Sequence, residues 1–213
     1  FDLVRCHLSK GQRANASLGL VLSQQGEKLM LISRVQKLSA FNRFVYWITE
    51  REKVRVLKEA GESPPWTDDE ILQSYRFCNV IRADDKVSKW LIENWYTPNF
   101  DHPNMLVACA LARFLNRPET LEQIGFPLKW QPERIKKIVR KIMSEGGVAY
   151  NAAYMVAAGP GEDKIDSVVS HYCQPLLDDP PEIGRNSKER AWAELSHYHG
   201  FGSFMAGQVV ADL

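Results

Sequence analysis

His199-Gly200-Phe201-Gly202-Ser203 separates two apolar-periodic stretches, 188–198 and 203–213, and so stands as the turn between two helices. Glycine reaches backbone conformations closed to other residues and brings no Cβ. A Gly-x-Gly turn feeding straight into a helix therefore lets backbone amides approach a phosphate, and the helix dipole favours the negative charge. That is the physical content of a helix-hairpin-helix element, with Gly200, Gly202 and Ser203 against the nucleic-acid backbone. A plain helical turn with a glycine cap reads the same way, so this segment alone leaves both open.

The same helical periodicity extends outward from the turn. Further helices are expected at 164–177 and 149–157. Pro132 sits where a first-turn proline is tolerated, ahead of 133–144, which Gly146-Gly147 stops. Pro103 plays the same part for 105–115, ended by 116–118. Asp84-Asp85 opens a helix through Val87, Trp90, Leu91 and Trp95. Pro64-Pro65 makes a rigid connection. Thr67-Asp68-Asp69-Glu70 reads as a capping box, with Trp66 and Ile71 as its hydrophobic staple. Ser39 caps a helix through Ala60, ended by Gly61, with Phe41, Phe44, Val45 and Ile48 on one face. Only the start differs: Leu18 to Ser23 and Lys28 to Ser33 flank Gln24-Gln25-Gly26-Glu27, the pattern of a β-hairpin. The expectation is a mainly α protein with an N-terminal segment over 1–36 and a helical domain over 37–213.

Bulk properties agree with an ordinary globular domain. The chain has 213 residues, 45% hydrophobic and 25% charged, with a formal net charge of +1. Neutrality excludes a global basic field but not a local cluster of cations facing phosphates. Arg134, Lys136, Lys137, Arg140 and Lys141 form such a cluster on one helix, whose Ile135, Ile138, Val139 and Ile142 face inward. A solvated polar face and a phosphate contact, through Lys137 and Lys141 above all, both fit it. Cys6, Cys78, Cys109 and Cys173 are scattered and read as thiols of a reducing compartment. There is no run of 18 apolar residues and no signal peptide. The chain starts at Phe1 rather than Met and stops inside a periodic stretch, so it is expected to be part of a longer one.

The densest polar segment runs from Tyr46 to Lys86. Tyr75-Arg76-Phe77-Cys78-Asn79 mixes aromatics, a cation and an amide, a set that can stack on an extruded base and bond its edge. Buried aromatics with surface ion pairs are the plainer alternative. His197 and His199 fall on different sides of a helix, which argues against a metal pair. Gly159-Pro-Gly161 lacks the following Gly-Lys-Ser/Thr of a phosphate-binding loop, so any kinase activity must come from another domain or protein.

Several segments follow one another in a specific order. They are Tyr46-Trp-Ile-Thr-Glu-Arg-Glu52, Pro65-Trp-Thr-Asp-Asp69, Ile71-Leu-Gln-Ser-Tyr-Arg-Phe-Cys-Asn-Val80 and Arg82 through Trp90. Later come Ala112-Arg113, Asn116, Pro118-Glu-Thr120, Gly147-x-Ala-Tyr150 and Gly200-x-Gly-Ser-Phe-Met-Ala-Gly-Gln-Val-Val-Ala-Asp212. Over roughly residues 40 to 213 the chain resembles the α-glutamyl/putrescinyl-thymine pyrophosphorylase family, which is similar to the helical domain of 5-hydroxymethyluracil DNA kinases.

The resemblance implies a fold related to helix-hairpin-helix DNA glycosylases and a role in phage DNA, in the cytoplasm of an infected bacterium. A P-loop kinase activates the hydroxymethyl group of 5-hydroxymethyluracil as a pyrophosphate. The family member then replaces that pyrophosphate with an amino acid or polyamine. Such chemistry needs aromatic walls and an amide reader, for which Tyr46, Trp66, Tyr75 and Phe77, with Asn79 or Asn151, are the candidates. Arg51, Arg76 and Arg82 are candidates for the charge of the departing pyrophosphate. Glu50 and Asp85 are candidates for the base that keeps the amine neutral. Asp212 matches a family position without a clear role. A Mg²⁺ on the leaving group fits the chemistry, although no ligand motif supports it.

Two alternatives stay open: a non-catalytic DNA-binding module of a kinase system, and a helix-hairpin-helix N-glycosylase. For the latter, Phe204 stands where lyase-type glycosylases carry a lysine, and the iron–sulfur cysteine cluster of some relatives is missing.

Overall fold

The computed structural model describes residues 39–152, 157–183 and 187–213, and these are helical, with no strand among them. The hairpin expected over 18–33 lies outside the described residues. The chain divides into two compact units, one ending at Asp84 and one running from Asp85 to Leu213.

The first unit is built on α1 (Ala40–Glu59). The Ser39 hydroxyl accepts from the Asn42 amide, and Gly61 follows the end at φ +78°. Both signals are those expected from the sequence. The stripe of Phe41, Phe44 and Val45 is nonetheless exposed, and burial centres on Val54. A short connection leads to α2 (Glu70–Ser74) and a 3₁₀ turn over Arg82–Asp84.

The capping box is corrected here. The N-cap of α2 is Asp69, whose carboxylate accepts from the amides of Ile71 and Leu72. Thr67 Oγ1 accepts instead from the Asp69 amide at 3.1 Å and donates to Glu50 at 2.7 Å. The expected staple is replaced as well: Ile71 is exposed, while Trp66 lies under the Lys58 ammonium and donates its indole N–H to the Glu62 carbonyl.

In the second unit Asp85 caps α3 (Lys86–Leu91), which continues as a π segment over Ile92–Tyr96. The centre is α4 (Met105–Leu115), apolar nearly all round and buried from Val107 onward. Asn116 ends it in the left-handed conformation, at φ 46°. Then come α5 (Pro118–Ile124), a helix not expected from the sequence, which starts at the proline expected to end the preceding run, and α6 (Pro132–Ser144). Next are α7 (Lys164–Asp166) running into a π segment at Ser167–Cys173, and α8 (Pro175–Asp178). The helices α9 (Lys188–Ser196) and α10 (Ser203–Val210) pack on each other, and α10 packs on α4.

No helix forms over the described start of 149–157. The Ala149 carbonyl accepts from Thr120 Oγ1, and the Asn151 amide donates to the Leu115 carbonyl. Backbone groups committed across the fold in this way are not available to a helical ladder.

Candidate functional site

The turn between α9 and α10 combines one packed glycine with one open glycine. Gly200 has φ +84°, and a Cβ there would fall 2.4 Å from the Tyr172 ring. Phe201 is buried, its ring 5.2 Å from that of Phe114. These contacts fix the turn. Gly202 is the N-cap of α10 and has open space where a Cβ would stand, with Ser203 and Phe204 exposed beside it. Packing therefore accounts for the first glycine, and access to the amides is left to the second.

On α6 the cations divide into two groups. Lys136 pairs with Glu133 and Asp166, Arg140 pairs with Asp163 and Asp166, and Arg134 donates to the Ile124 carbonyl. Those three are tied into the fold. Lys137 is exposed and makes no ion pair among the described residues, and Lys141 has only a loose contact to Glu145 at 3.8 Å. The pair proposed for a DNA backbone is thus the pair left to solvent.

The first unit holds a cavity of about 800 Å³. Of the residues proposed from sequence, Arg51, Trp66, Tyr75, Arg76 and Phe77 line it. Lys58, Thr67 and Gln73 line it too, although none of them is a site residue expected from the sequence. Glu50, Tyr46, Asn79 and Arg82 are not among its walls, and Asp85 and Asn151 belong to the second unit. The lining residues include three cations and no carboxylate.

The carboxylates near α1 are taken by other groups. Arg55 engages Glu52, Glu59 and Asp84, and the first two bonds push its guanidinium up from its ordinary value while holding Glu52 below its own. Glu50 Oε1 accepts from Lys53 and from Thr67. Tyr46 is pushed up to about 12 by burial, reinforced by Asp69 and Glu50, and so remains a neutral phenol.

Arg51 is left with neutral partners. Its Nη2 donates to the Phe77 carbonyl at 3.0 Å and to Asn79 Oδ1 at 2.8 Å, while Nη1 is buried without an acceptor. Asn79, expected as a base reader, is consumed at both ends, since its Nδ2 donates to the Asp84 carbonyl at 2.6 Å. Asp85 also has a structural use, accepting from the Ser88 amide at 2.9 Å.

The Asp212 side chain is nearly covered, and the residue lines a cavity of about 330 Å³ with Phe100, His102 and Leu106. Its carboxylate accepts from the Arg113 guanidinium through both oxygens and from the Tyr96 hydroxyl at 2.7 Å. Among the described residues no group of three or more His, Cys, Asp or Glu stands ready for a metal. The walls of the cavity, cationic and without carboxylates, do not fit a Mg²⁺. No described helix is long and apolar enough to cross a membrane.

Comparison with known proteins adds the family. The model for the "5-hmdU DNA kinase, helical domain" family matches residues 38–213. The chain is also similar to the 5-hmdU DNA kinase of Bacillus phage SP10, 28% identical over 191 residues. That alignment covers 78% of this chain and 30% of the phage protein, so the chain spans about a third of its relative's length. No solved structure matches. The chain belongs to the family of 5-hmdU DNA kinase helical domains.

Proposed function

We propose that the chain acts in thymine hypermodification of phage DNA, replacing the pyrophosphate of an activated 5-hydroxymethyluracil with an amino acid or a polyamine. The observation that carries this reading is the cavity of the first unit, where Trp66, Tyr75 and Phe77 stand with Arg51, Lys58 and Arg76 and no carboxylate. A pyrimidine turned out of the stack needs flat apolar walls, and a leaving pyrophosphate needs fixed positive charge. Membership of the kinase-linked family supports the DNA context.

In this reaction the amine nitrogen bonds to the exocyclic methylene carbon as the C–O bond to pyrophosphate breaks. The pyrophosphate carries off the electron pair, and the nitrogen releases a proton. Glu50 is the better base of the two candidates. It reaches the cavity wall through the Thr67 hydroxyl, whereas Asp85 is spent on its helix cap. Gly202, Ser203, Lys137 and Lys141 hold the DNA backbone in this scheme, and a P-loop kinase supplies the activated base.

Nucleoside mass analysis of pyrophosphorylated 5-hydroxymethyluracil DNA, treated with the protein and a mixture of amino acids and polyamines, tests it. A heavier thymidine derivative supports the transfer, and unchanged nucleosides from folded, DNA-bound protein sink it. A second reading, a non-catalytic DNA-binding domain serving a kinase, is favoured by the 30% coverage of the phage relative. It predicts salt-dependent DNA binding with no altered nucleoside.

A further inference from the structure

Arg51 presents a problem that the fold leaves unsolved. A buried donor without an acceptor costs about 1–3 kcal/mol, more when charged, and native structures rarely leave one without reason. The guanidinium is held in place by the Phe77 carbonyl and Asn79, yet Nη1 has no acceptor. Four residues further along the chain, Arg55 takes Glu52, Glu59 and Asp84. Arg51 is thus left on the wall of a cavity with hydrogen bonds to neutral groups and no ion pair among the described residues. The other two cations of that wall also lack a carboxylate partner among the described residues: Arg76 is exposed, and Lys58 rests 4.4 Å over the Trp66 ring.

We propose that the Arg51 guanidinium, with Lys58 and Arg76, forms an oxyanion site for a phosphate group on the cavity wall, and that Asn79 is the positioning residue that sets the Arg51 fork. Asn79 does this from both ends of its amide. Its oxygen receives Arg51 Nη2, and its nitrogen is anchored on the Asp84 carbonyl. A planar guanidinium held along one edge presents its remaining N–H groups in a fixed direction, which suits the oxygens of a phosphate. The amide fixes the direction without adding negative charge. A carboxylate at position 79 would hold the same edge but cancel the charge.

The shared chemistry is a phosphate oxygen, which comes either from a pyrophosphate leaving group or from the DNA backbone. This inference uses the proposed transfer only to say that phosphates are at hand. Its test needs no turnover, so its failure and that of the transfer reading are separable.

The test is calorimetric titration of the full chain with inorganic pyrophosphate and, separately, with a short duplex DNA. Wild type, Arg51→Lys, Asn79→Asp and the double variant Lys58→Gln/Arg76→Gln are compared, each with its near-ultraviolet circular dichroism and urea midpoint. Arg51→Lys and Asn79→Asp are expected to weaken pyrophosphate binding about tenfold, the scale of one charge-assisted hydrogen bond. The exposed double variant, which leaves the fold alone, is expected to weaken it severalfold. Loss confined to duplex DNA would keep the site and assign the oxygen to the backbone. Unchanged affinity for both ligands in the double variant and in folded Arg51→Lys overturns the proposal. Unchanged affinity in folded Asn79→Asp removes Asn79 from it.

Discussion

Arg113 and Asp212, 99 positions apart, share a two-pronged ion pair inside the second unit, with Arg113 Nη2 donating to Asp212 Oδ1 at 2.7 Å. Both side chains are almost wholly sealed from solvent, at 2% and 4% exposure. Ser88 Oγ accepts from the same guanidinium and Tyr96 donates to the same carboxylate, so the pair joins α3, its π extension, α4 and the end of α10. Removing one partner of a buried pair leaves the other charge unmet, at about 3–5 kcal/mol. Asp212→Asn is expected to lower the melting temperature by roughly 6–12 °C, converting about 3 kcal/mol at this chain length. A thermal melt checks it, and a shift below 2 °C would show that the pair does not hold the unit together.

The two hairpin glycines are expected to respond in opposite ways. Gly200→Ala meets both a left-handed φ of +84° and the Tyr172 ring, and is expected to destabilise by more than about 2 kcal/mol. Gly202→Ala meets no neighbour and is expected to shift the urea midpoint little while weakening DNA binding. Equal effects of the two on stability, or no effect of Gly202→Ala on DNA affinity, would remove the turn from the interface.

On α6, Lys137→Ala/Lys141→Ala is expected to leave the urea midpoint in place. The slope of log K against log salt should become shallower by about 1.8, the release of about 0.9 counterion for each of two phosphate contacts. Arg140→Ala, which cuts the bonds to Asp163 and Asp166, is expected to act on stability with a smaller change in salt slope. Binding isotherms at several salt concentrations separate the two outcomes.

Local signals in the sequence carried much of the helical layout. Ser39 caps α1, Pro132 opens α6 and Asn116 closes α4, because each acts on backbone groups within one turn of itself. The errors came from long-range bonds. Thr67 is oriented by its bond to Glu50, 17 positions away, and receives the Asp69 amide, while Asn151 gives its amide to Leu115 rather than to a helix. The site divides along the same line. Aromatic and cationic residues of the cavity were legible as types, but Asn79 was read as a base reader because its bonds to Arg51 and Asp84 arise only on folding. Lys58 was missed because nothing in its neighbours along the chain marks it as facing Trp66.

Thiol chemistry checks the burial independently. Burial pushes the thiols of Cys109 and Cys173 well above their ordinary range, so near pH 8 both stay protonated as well as covered. Cys78 is exposed. Iodoacetamide on the folded protein at pH 8 is expected to alkylate Cys78 and spare Cys109 and Cys173, read by peptide mass spectrometry. Rapid labelling of either buried thiol would contradict the core described here.

The most direct test of the proposed chemistry is nucleoside mass analysis after reaction of pyrophosphorylated 5-hydroxymethyluracil DNA with an amine mixture. Wild type is compared with Arg51→Lys and Glu50→Gln, all three first shown to be folded. An amine-bearing thymidine derivative is expected from wild type, cut at least tenfold in both variants. Intact activated nucleoside throughout, from protein that binds the DNA, would contradict it and leave the chain as the DNA-holding part of a kinase system.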